Sequence, residues 1–220
     1  MISENIRQYL EPDFYMDFDR PEIAEKVAEI TAGALNRRKA GIALFNFVRD
    51  RIVYNFAPDL KDASEMKASE TLKRGNGFCT QKAILLAAMM RSIDIPSGIV
   101  FQDLRDYKLT QAYVNYLGSD ILKMHGLTKI YVRDHWIRID GTLDAELVER
   151  NGYRLTQFDG EHEALFPETD RAGHPHFDVL REYGFSHTLE KDKFDYYWNI
   201  FHQKDYSKWK RIVHTKNLSM

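Results

Sequence analysis

The only cysteine of the chain, Cys79, is its most reactive side chain, and it stands where a helix is predicted to begin. The loop sequence GNGF precedes it, and the residues from Ala83 to Met90 are nearly all apolar, as in a buried helix. A thiol reacts as its thiolate, and the unpaired N–H groups and dipole of a helix N-terminus favour that anion. The position therefore suits a nucleophile, but a small buried cysteine that fills space at a loop–helix junction would explain this feature equally well.

A nucleophilic thiol needs a base, and the base needs a group that orients it. The segment from His125 onward, HGLTKIYVRDHWIRIDGT, has the pattern of a β-hairpin with its turn at 133–134. In that register Leu127 lies opposite Asp140, and His125 follows two positions further along the same face. Diagonal neighbours on one face are about 7–8 Å apart at the backbone, which an imidazole and a carboxylate can bridge. The hairpin therefore predicts His125 as the base and Asp140 as its partner.

The other histidine of the hairpin, His135, is a poorer candidate for the base. It is separated from Asp140 by an odd number of residues on one strand, so their side chains point to opposite faces. The aliphatic side chains share one face, which should pack on a core: Ile130, Val132, Ile137 and Ile139.

Elements that could position these residues follow from the hydrophobic spacing. Helices are predicted at about 21–35, 39–53, 69–75 and 79–95, with a strand at 98–101 and an amphipathic helix around 194–201. Residues 103–124 are mixed in character and are interpreted as a partly helical insertion, and 146–190 show little periodicity. Since no repeat or linker divides the chain, residues 1–220 are predicted to form one domain.

Two segments resemble the transglutaminase-like superfamily. GNGFCTQKAILLAAMMRSIDIP is similar to that family's nucleophile segment, and HGLTKIYVRDHWIRIDGT to the segment that carries its histidine and aspartate. VRDRIVYNF and SETLKRG also fit, so the resemblance runs from about 40 to 145. It implies an α+β, papain-like core whose Cys-bearing helix packs against an antiparallel sheet, with an N-terminal helical arm (1–38) and a C-terminal extension (146–220).

The resemblance also implies roles for single residues. Cys79 would be the nucleophile, His125 the general base and then acid, and Asp140 the group that orients the imidazole. An oxyanion would be held by the Cys79 backbone N–H and a side chain, for which Tyr54 and Gln81 are candidates. Trp136 could bind substrate in the cleft or fill the sheet surface, and we favour the cleft.

The sequence departs from the family pattern in three places. Leu127 stands where an aromatic residue is frequent, Asp94 where glycine is, and Gly141 where proline is. None of these changes removes a catalytic group, but residues beside the histidine shape the acyl pocket, so they weaken inference about the substrate.

The function expected from these residues is acyl transfer or hydrolysis of an amide, in a peptide or a glutamine side chain, through a Cys79 thioester. The acceptor would be water or an amine, and neither a metal nor another cofactor is expected. One alternative is a non-catalytic domain of the same fold that binds a peptide or protein. Another is a metal hydrolase that uses His174, His176 and Asp178 as metal ligands. We favour the simpler interpretation that these histidines are ordinary loop residues.

Composition limits the partners. The 31 basic and 33 acidic residues nearly balance, which gives no support to nucleic acid or an acidic membrane surface as the main partner. No apolar run approaches the roughly 18 residues of a membrane span. The N-terminus lacks the pattern of a secretory signal, and one cysteine cannot form an intramolecular disulfide. We therefore expect a cytoplasmic protein whose oligomeric state the sequence leaves open.

Overall fold

A computed structural model describes residues 4–216, so the first three residues of the predicted arm and the last four of the predicted extension lie outside it. Its α-helices in this range are α1 (Glu4–Arg7), α2 (Pro21–Thr31), α3 (Arg37–Arg51), α4 (Ala68–Arg74), α5 (Cys79–Arg91), α6 (Gln111–Leu117), α7 (Ala145–Arg150), α8 (Lys191–Phe201) and α9 (Tyr206–Lys216). The strands there are β1 (Val53–Tyr54), β2 (Asn76–Gly77), β3 (Ser97–Asp106), β4 (Ile121–Val132), β5 (His135–Ile139) and β6 (Phe177–Ser186).

The main sheet is antiparallel, with the strand order β5-β4-β3-β6. β4 and β5 form the predicted hairpin, since Val132 pairs with His135 and Thr128 with Ile139. Arg133 and Asp134 both have positive φ, at 49° and 64°, as the two-residue turn that matches the strand twist requires. The register predicted for His125 and Asp140 is therefore confirmed.

Helix α5 lies at the centre of the fold, and every one of its residues is buried. It packs against β4 and β3 on one side and against α3 and α4 on the other. Burial on all sides explains why residues 83–90 are apolar around the whole helix and not along one stripe. The predicted α+β architecture, with the Cys-bearing helix against an antiparallel sheet, is confirmed.

Helix α5 approaches the sheet closely at a glycine, Gly126. A Cβ on Gly126 would lie 2.5 Å from Thr80 Oγ1 and 3.2 Å from Thr80 Cα, so a larger residue does not fit there without movement. This contact fixes the start of α5 beside the strand residue that follows His125.

Several predicted boundaries were wrong. The strand predicted at 98–101 continues to Asp106, and β4 begins at Ile121, so only α6 with its flanking turns remains of the inserted segment 103–124. Helix α2 ends at Thr31 and not near residue 35. Strand β6 was missed because most of its residues are exposed on both faces, which leaves no alternating pattern in the sequence.

The C-terminal region returns to the core. The amphipathic stripe predicted around 194–201 is helix α8, whose Tyr197 is buried in the main core cluster. Helix α9, which was not predicted, packs its Trp209 against Tyr113 and Tyr116 of α6, with ring centroids 4.7 Å apart in both pairs. None of the helices in residues 4–216 is long and apolar enough to cross a membrane.

Replacing Gly126 tests the close contact between α5 and β4. We expect Gly126→Ala to lower the free energy of unfolding by about 1–3 kcal/mol, because the added methyl group must push Thr80 and the start of α5 away. Urea denaturation measures the change. Gly184→Ala is the matched control, because Gly184 also lies in a strand but a Cβ there would meet nothing within 4 Å. Equal stability of the two variants would contradict a tight contact at Gly126.

Candidate active site

Cys79 is the first residue of α5 and borders an open cavity while remaining 8% exposed. The preceding turn is shaped by Gly75, which ends α4 with a φ of 70°. β1 then pairs with β2 and places Tyr54 opposite Gly77, two residues before the cysteine. The sulfur thus sits at a helix N-terminus, beside a cavity that a small molecule can enter.

His125 and Asp140 form a buried hydrogen bond, with His125 Nε2 2.7 Å from Asp140 Oδ2. The other carboxylate oxygen of Asp140 accepts the backbone N–H of Thr142 at 3.0 Å, which holds the carboxylate in place. The Cys79 sulfur lies 3.8 Å from Thr80 Oγ1, and His125 is close enough to lower the pKa of the thiol. Since Nε2 is engaged by Asp140, the ring nitrogen left for the sulfur is Nδ1. The structure therefore brings the three residues together, with the imidazole between the thiol and the carboxylate.

The charges of Cys79, His125 and Asp140 stabilise one another. Burial acts to raise the pKa of the Cys79 thiol, but the charge and hydrogen bond of His125, together with the backbone N–H of Gly126, lower it below the ordinary value. Burial acts to lower the pKa of His125, but the charges of Asp140 and Cys79 and hydrogen bonds to both raise it well above the usual range. Both shifts favour a thiolate paired with an imidazolium over the neutral thiol and imidazole.

Tyr197 is a residue of the site that the sequence did not reveal. Its hydroxyl donates a hydrogen bond to the backbone carbonyl of Met124 and accepts one from Thr80 Oγ1 at 2.6 Å. Burial, followed by the charge of Cys79, raises its pKa. It thus ties α8 to the residues that follow Cys79 and precede His125. The helical stripe in the sequence indicated that Tyr197 is buried, but no local signal linked it to residues 70 to 120 positions earlier.

Lys82, one turn after the cysteine, is also buried close to the site. Its Nζ donates to the backbone carbonyls of Arg49 at 3.0 Å and Ile52 at 2.6 Å, which joins α5 to the end of α3. Burial lowers the pKa of this ammonium group to about 7, although the nearby carboxylates of Asp144 and Asp140 act to raise it. The lysine therefore adds positive charge behind Asp140 without reaching the cavity.

The three predicted substrate-binding residues have different positions. Tyr54 lines the cavity beside Cys79. Gln81 does not: its side chain is fully buried, accepts the N–H of Phe78 at 3.2 Å and donates to the Glu65 carbonyl at 2.7 Å, so it braces the helix start. Trp136 packs on the sheet surface against Tyr9 and Phe185, with ring centroids 4.8 and 4.6 Å apart, and does not line this cavity.

The cavity has a volume of about 500 Å³ and is walled by β1, α6 with the chain leading into β4, and α8. Cys79 and His125 lie on its surface, whereas Asp140 lies behind the histidine. The walls therefore come largely from the inserted segment and the C-terminal extension, while the reactive groups come from the core.

The histidines considered as metal ligands do not converge. The side chain of His174 is 74% exposed, whereas His176 is buried with its ring 4.0 Å from the Tyr153 centroid. Asp178 accepts a hydrogen bond from Tyr107. Within residues 4–216 no group of three or more His, Cys, Asp or Glu side chains is arranged to hold a metal ion.

Comparison with known proteins adds family information. The model of the transglutaminase-like superfamily matches residues 24–141. No curated protein sequence matches the chain. A solved structure of a proposed cysteine protease from Cytophaga hutchinsonii is similar with a TM-score of 0.51 and 18% identity, over 84% of this chain and 55% of that one. At this identity the similarity shows the fold alone.

A second solved structure, the periplasmic domain of TgpA from Pseudomonas aeruginosa, gives a TM-score of 0.45 and 18% identity, over 64% of this chain and 48% of that one. The chain thus spans about half the length of each of these two proteins.

The pH dependence of Cys79 alkylation tests the thiolate–imidazolium pair. With iodoacetamide we expect the rate to reach half its maximum below the pH of about 8.5 at which a free thiol ionises. His125→Ala removes the charge that does most to lower the pKa of the thiol and leaves burial opposed only by hydrogen bonds to Gly126 and Thr80, so the pKa should rise, and the rate at neutral pH should fall by about tenfold or more. Intact-mass spectrometry follows the labelling.

His135→Ala is the control for this measurement, because that imidazole is exposed and bonds only within the hairpin turn, to the Arg133 carbonyl. An inflection in the unmodified protein at or above the pH of a free thiol would contradict the ion pair.

Proposed function

Because the chain belongs to the transglutaminase-like superfamily, we propose that it is a cysteine-dependent acyltransferase or hydrolase with Cys79 as nucleophile. The observation that carries the proposal is the position of Cys79 beside His125, which is hydrogen-bonded to Asp140, at the edge of an open cavity. An ionised thiol, a protonated imidazole next to it and a buried carboxylate behind that imidazole are the groups that acyl transfer requires.

In the first half of the proposed reaction the Cys79 thiolate attacks the carbonyl carbon of an amide. The carbonyl oxygen becomes an oxyanion, for which the Cys79 backbone N–H is a donor, because the first N–H groups of a helix lack intrahelical partners. Tyr54, at the same cavity surface, is the side-chain candidate for a second donor. As the C–N bond breaks, the His125 imidazolium transfers its proton to the leaving nitrogen, and the acyl group remains on sulfur as a thioester.

In the second half His125, now neutral, accepts a proton from water or an amine as that acceptor attacks the thioester carbonyl. Collapse of the intermediate breaks the C–S bond and releases an acid or a new amide. The thiolate and the imidazolium are then restored. Asp140 keeps Nε2 protonated throughout and stabilises the positive charge on the ring.

The nucleophile prediction is tested with Cys79→Ala. We expect it to remove all hydrolysis of an acetylated peptide p-nitrophenyl ester or anilide above background and all incorporation of a fluorescent primary amine, because no thioester can form. Both reactions should be measured side by side, and the acyl-enzyme sought by mass spectrometry. Circular dichroism and urea denaturation check that the variant folds. Full activity in Cys79→Ala would defeat the proposed chemistry, and inactivity of the unmodified protein with an unreactive thiol would favour a binding domain of the same fold.

The orienting carboxylate gives a separate prediction. We expect Asp140→Asn to lower kcat by about 100-fold or more with a smaller change in KM, because an amide there stabilises the wrong tautomer and not the charged ring. Asp134→Asn is the control, since Asp134 lies exposed in the hairpin turn and asparagine tolerates its positive φ. Equal kcat values for the two variants would show that Asp140 has no part in the reaction.

A further inference from the structure

The cavity beside Cys79 is unusual in its lining. Among the described residues that form it, eight are aromatic and none carries a carboxylate. The aromatic groups come from three separate parts of the chain: 54–78, 113–116 and 196–201. A volume of about 500 Å³ falls within the range of small-molecule sites, roughly 300–1,000 Å³. The space is therefore large for an unbranched side chain, and aromatic residues are the most numerous class in its wall.

Three of the tyrosine hydroxyls are already used by the protein. Tyr116 donates to the Ile200 carbonyl at 3.3 Å, Tyr196 to the Lys123 carbonyl at 3.4 Å, and Tyr197 to the Met124 carbonyl. Because these hydroxyl groups donate to backbone carbonyls, the three tyrosines offer a bound ligand mainly their rings. A polar amide placed beside these three rings would lose its water without replacement from their hydroxyls, which is costly.

The charged residues around the cavity also favour an uncharged ligand. Lys123 lies exposed at the rim and His125 is held as a cation, while no acidic side chain among the described lining residues opposes them. The negative charge of the Cys79 thiolate is already paired with His125, so a positively charged group that entered would meet Lys123 and no carboxylate among these residues. Uncharged rings, by contrast, gain from edge-to-face and offset contacts with the aromatic walls.

Contacts between the surrounding elements support the walls of the cavity. Trp209 of α9 packs on Tyr113 and Tyr116. Tyr206 donates a hydrogen bond to the Pro58 carbonyl beyond β1. Helices α6, α8 and α9 thus brace one another around the cavity, although none of them carries a residue of the Cys–His–Asp chain.

We propose that this cavity binds the group next to the reactive carbonyl of the acyl donor, and that it takes a large, uncharged aromatic group in preference to a glutamine or a basic side chain. The proposal rests on the proposed function, because it assigns the acyl donor of that same cysteine. It makes α6 and α8, and not the core of the fold, the part of the protein that determines substrate choice.

Mechanism-based probes test the proposal on the full chain. Acetyl-Phe, acetyl-Gln, acetyl-Lys and acetyl-Glu vinyl sulfones carry one electrophile and differ only in the adjoining side chain. Each rate of Cys79 labelling is divided by the rate of the same probe with glutathione, and iodoacetamide serves as a small reference reagent. We expect acetyl-Phe to label at least ~10-fold faster than acetyl-Gln, and acetyl-Lys to be slowest.

A cavity-filling variant provides a second measurement. Ile200→Trp should lower the ratio of acetyl-Phe to iodoacetamide labelling by ~10-fold, because the indole occupies the space of the probe. Leu35→Trp, at a side chain that is 92% exposed outside the cavity lining, should keep the ratio of the unmodified protein. The probe comparison on the unmodified protein does not depend on either variant.

The outcomes separate the two proposals. Fast iodoacetamide labelling with acetyl-Gln equal to or faster than acetyl-Phe would overturn the aromatic preference and leave the cysteine chemistry standing. A Cys79 that iodoacetamide labels no faster than it labels a free thiol at neutral pH would overturn the proposed function and this inference with it.

Discussion

The interaction on which the proposed chemistry depends is the pairing of Cys79 with His125 at the edge of the cavity. Burial alone would keep the thiol protonated and the imidazole neutral. The charged forms are favoured because Asp140 lies 2.7 Å from the far ring nitrogen and the Gly126 N–H lowers the pKa of the thiol. A charge that is buried without such partners would instead be neutralised. The packing of helix on strand therefore sets the reactivity of the thiol.

That packing places strict demands on a few positions. The N-terminus of α5 can reach the strand that carries His125 only because residue 126 has no side chain. The side chains of Gln81 and Lys82 hydrogen-bond to neighbouring backbone groups, which fixes the helix on the side away from the sheet. The chemistry of Cys79 thus relies on residues that never meet a substrate, and their role is to keep two elements in one register.

The regions outside the core contribute to the site in a different way. Tyr197 connects α8 to Thr80 and to the backbone just before His125, so the C-terminal extension is continuous with the reactive centre. Together with α6 it supplies most of the aromatic surface of the cavity. In the proposed function the core supplies the reacting groups and the added helices select the acyl donor, an arrangement common among enzymes whose site is built on a shared fold.

Local patterns were sufficient to predict the helix that begins at Cys79, the hairpin and the pairing of His125 with Asp140, because periodicity and register depend on neighbours along the chain or across a tight turn. They failed for β6, whose exposed faces carry no alternation, and for Gln81 and Trp136, whose side chains turn into the protein or onto the sheet surface and not into the cavity. Only the tertiary structure decided that Tyr197 and α6 enclose the sulfur, because those contacts join residues far apart in the chain. The local sequence was sufficient to identify Cys79, His125 and Asp140 as the candidate reactive groups. The residues that surround them in the cavity could be identified only from long-range packing.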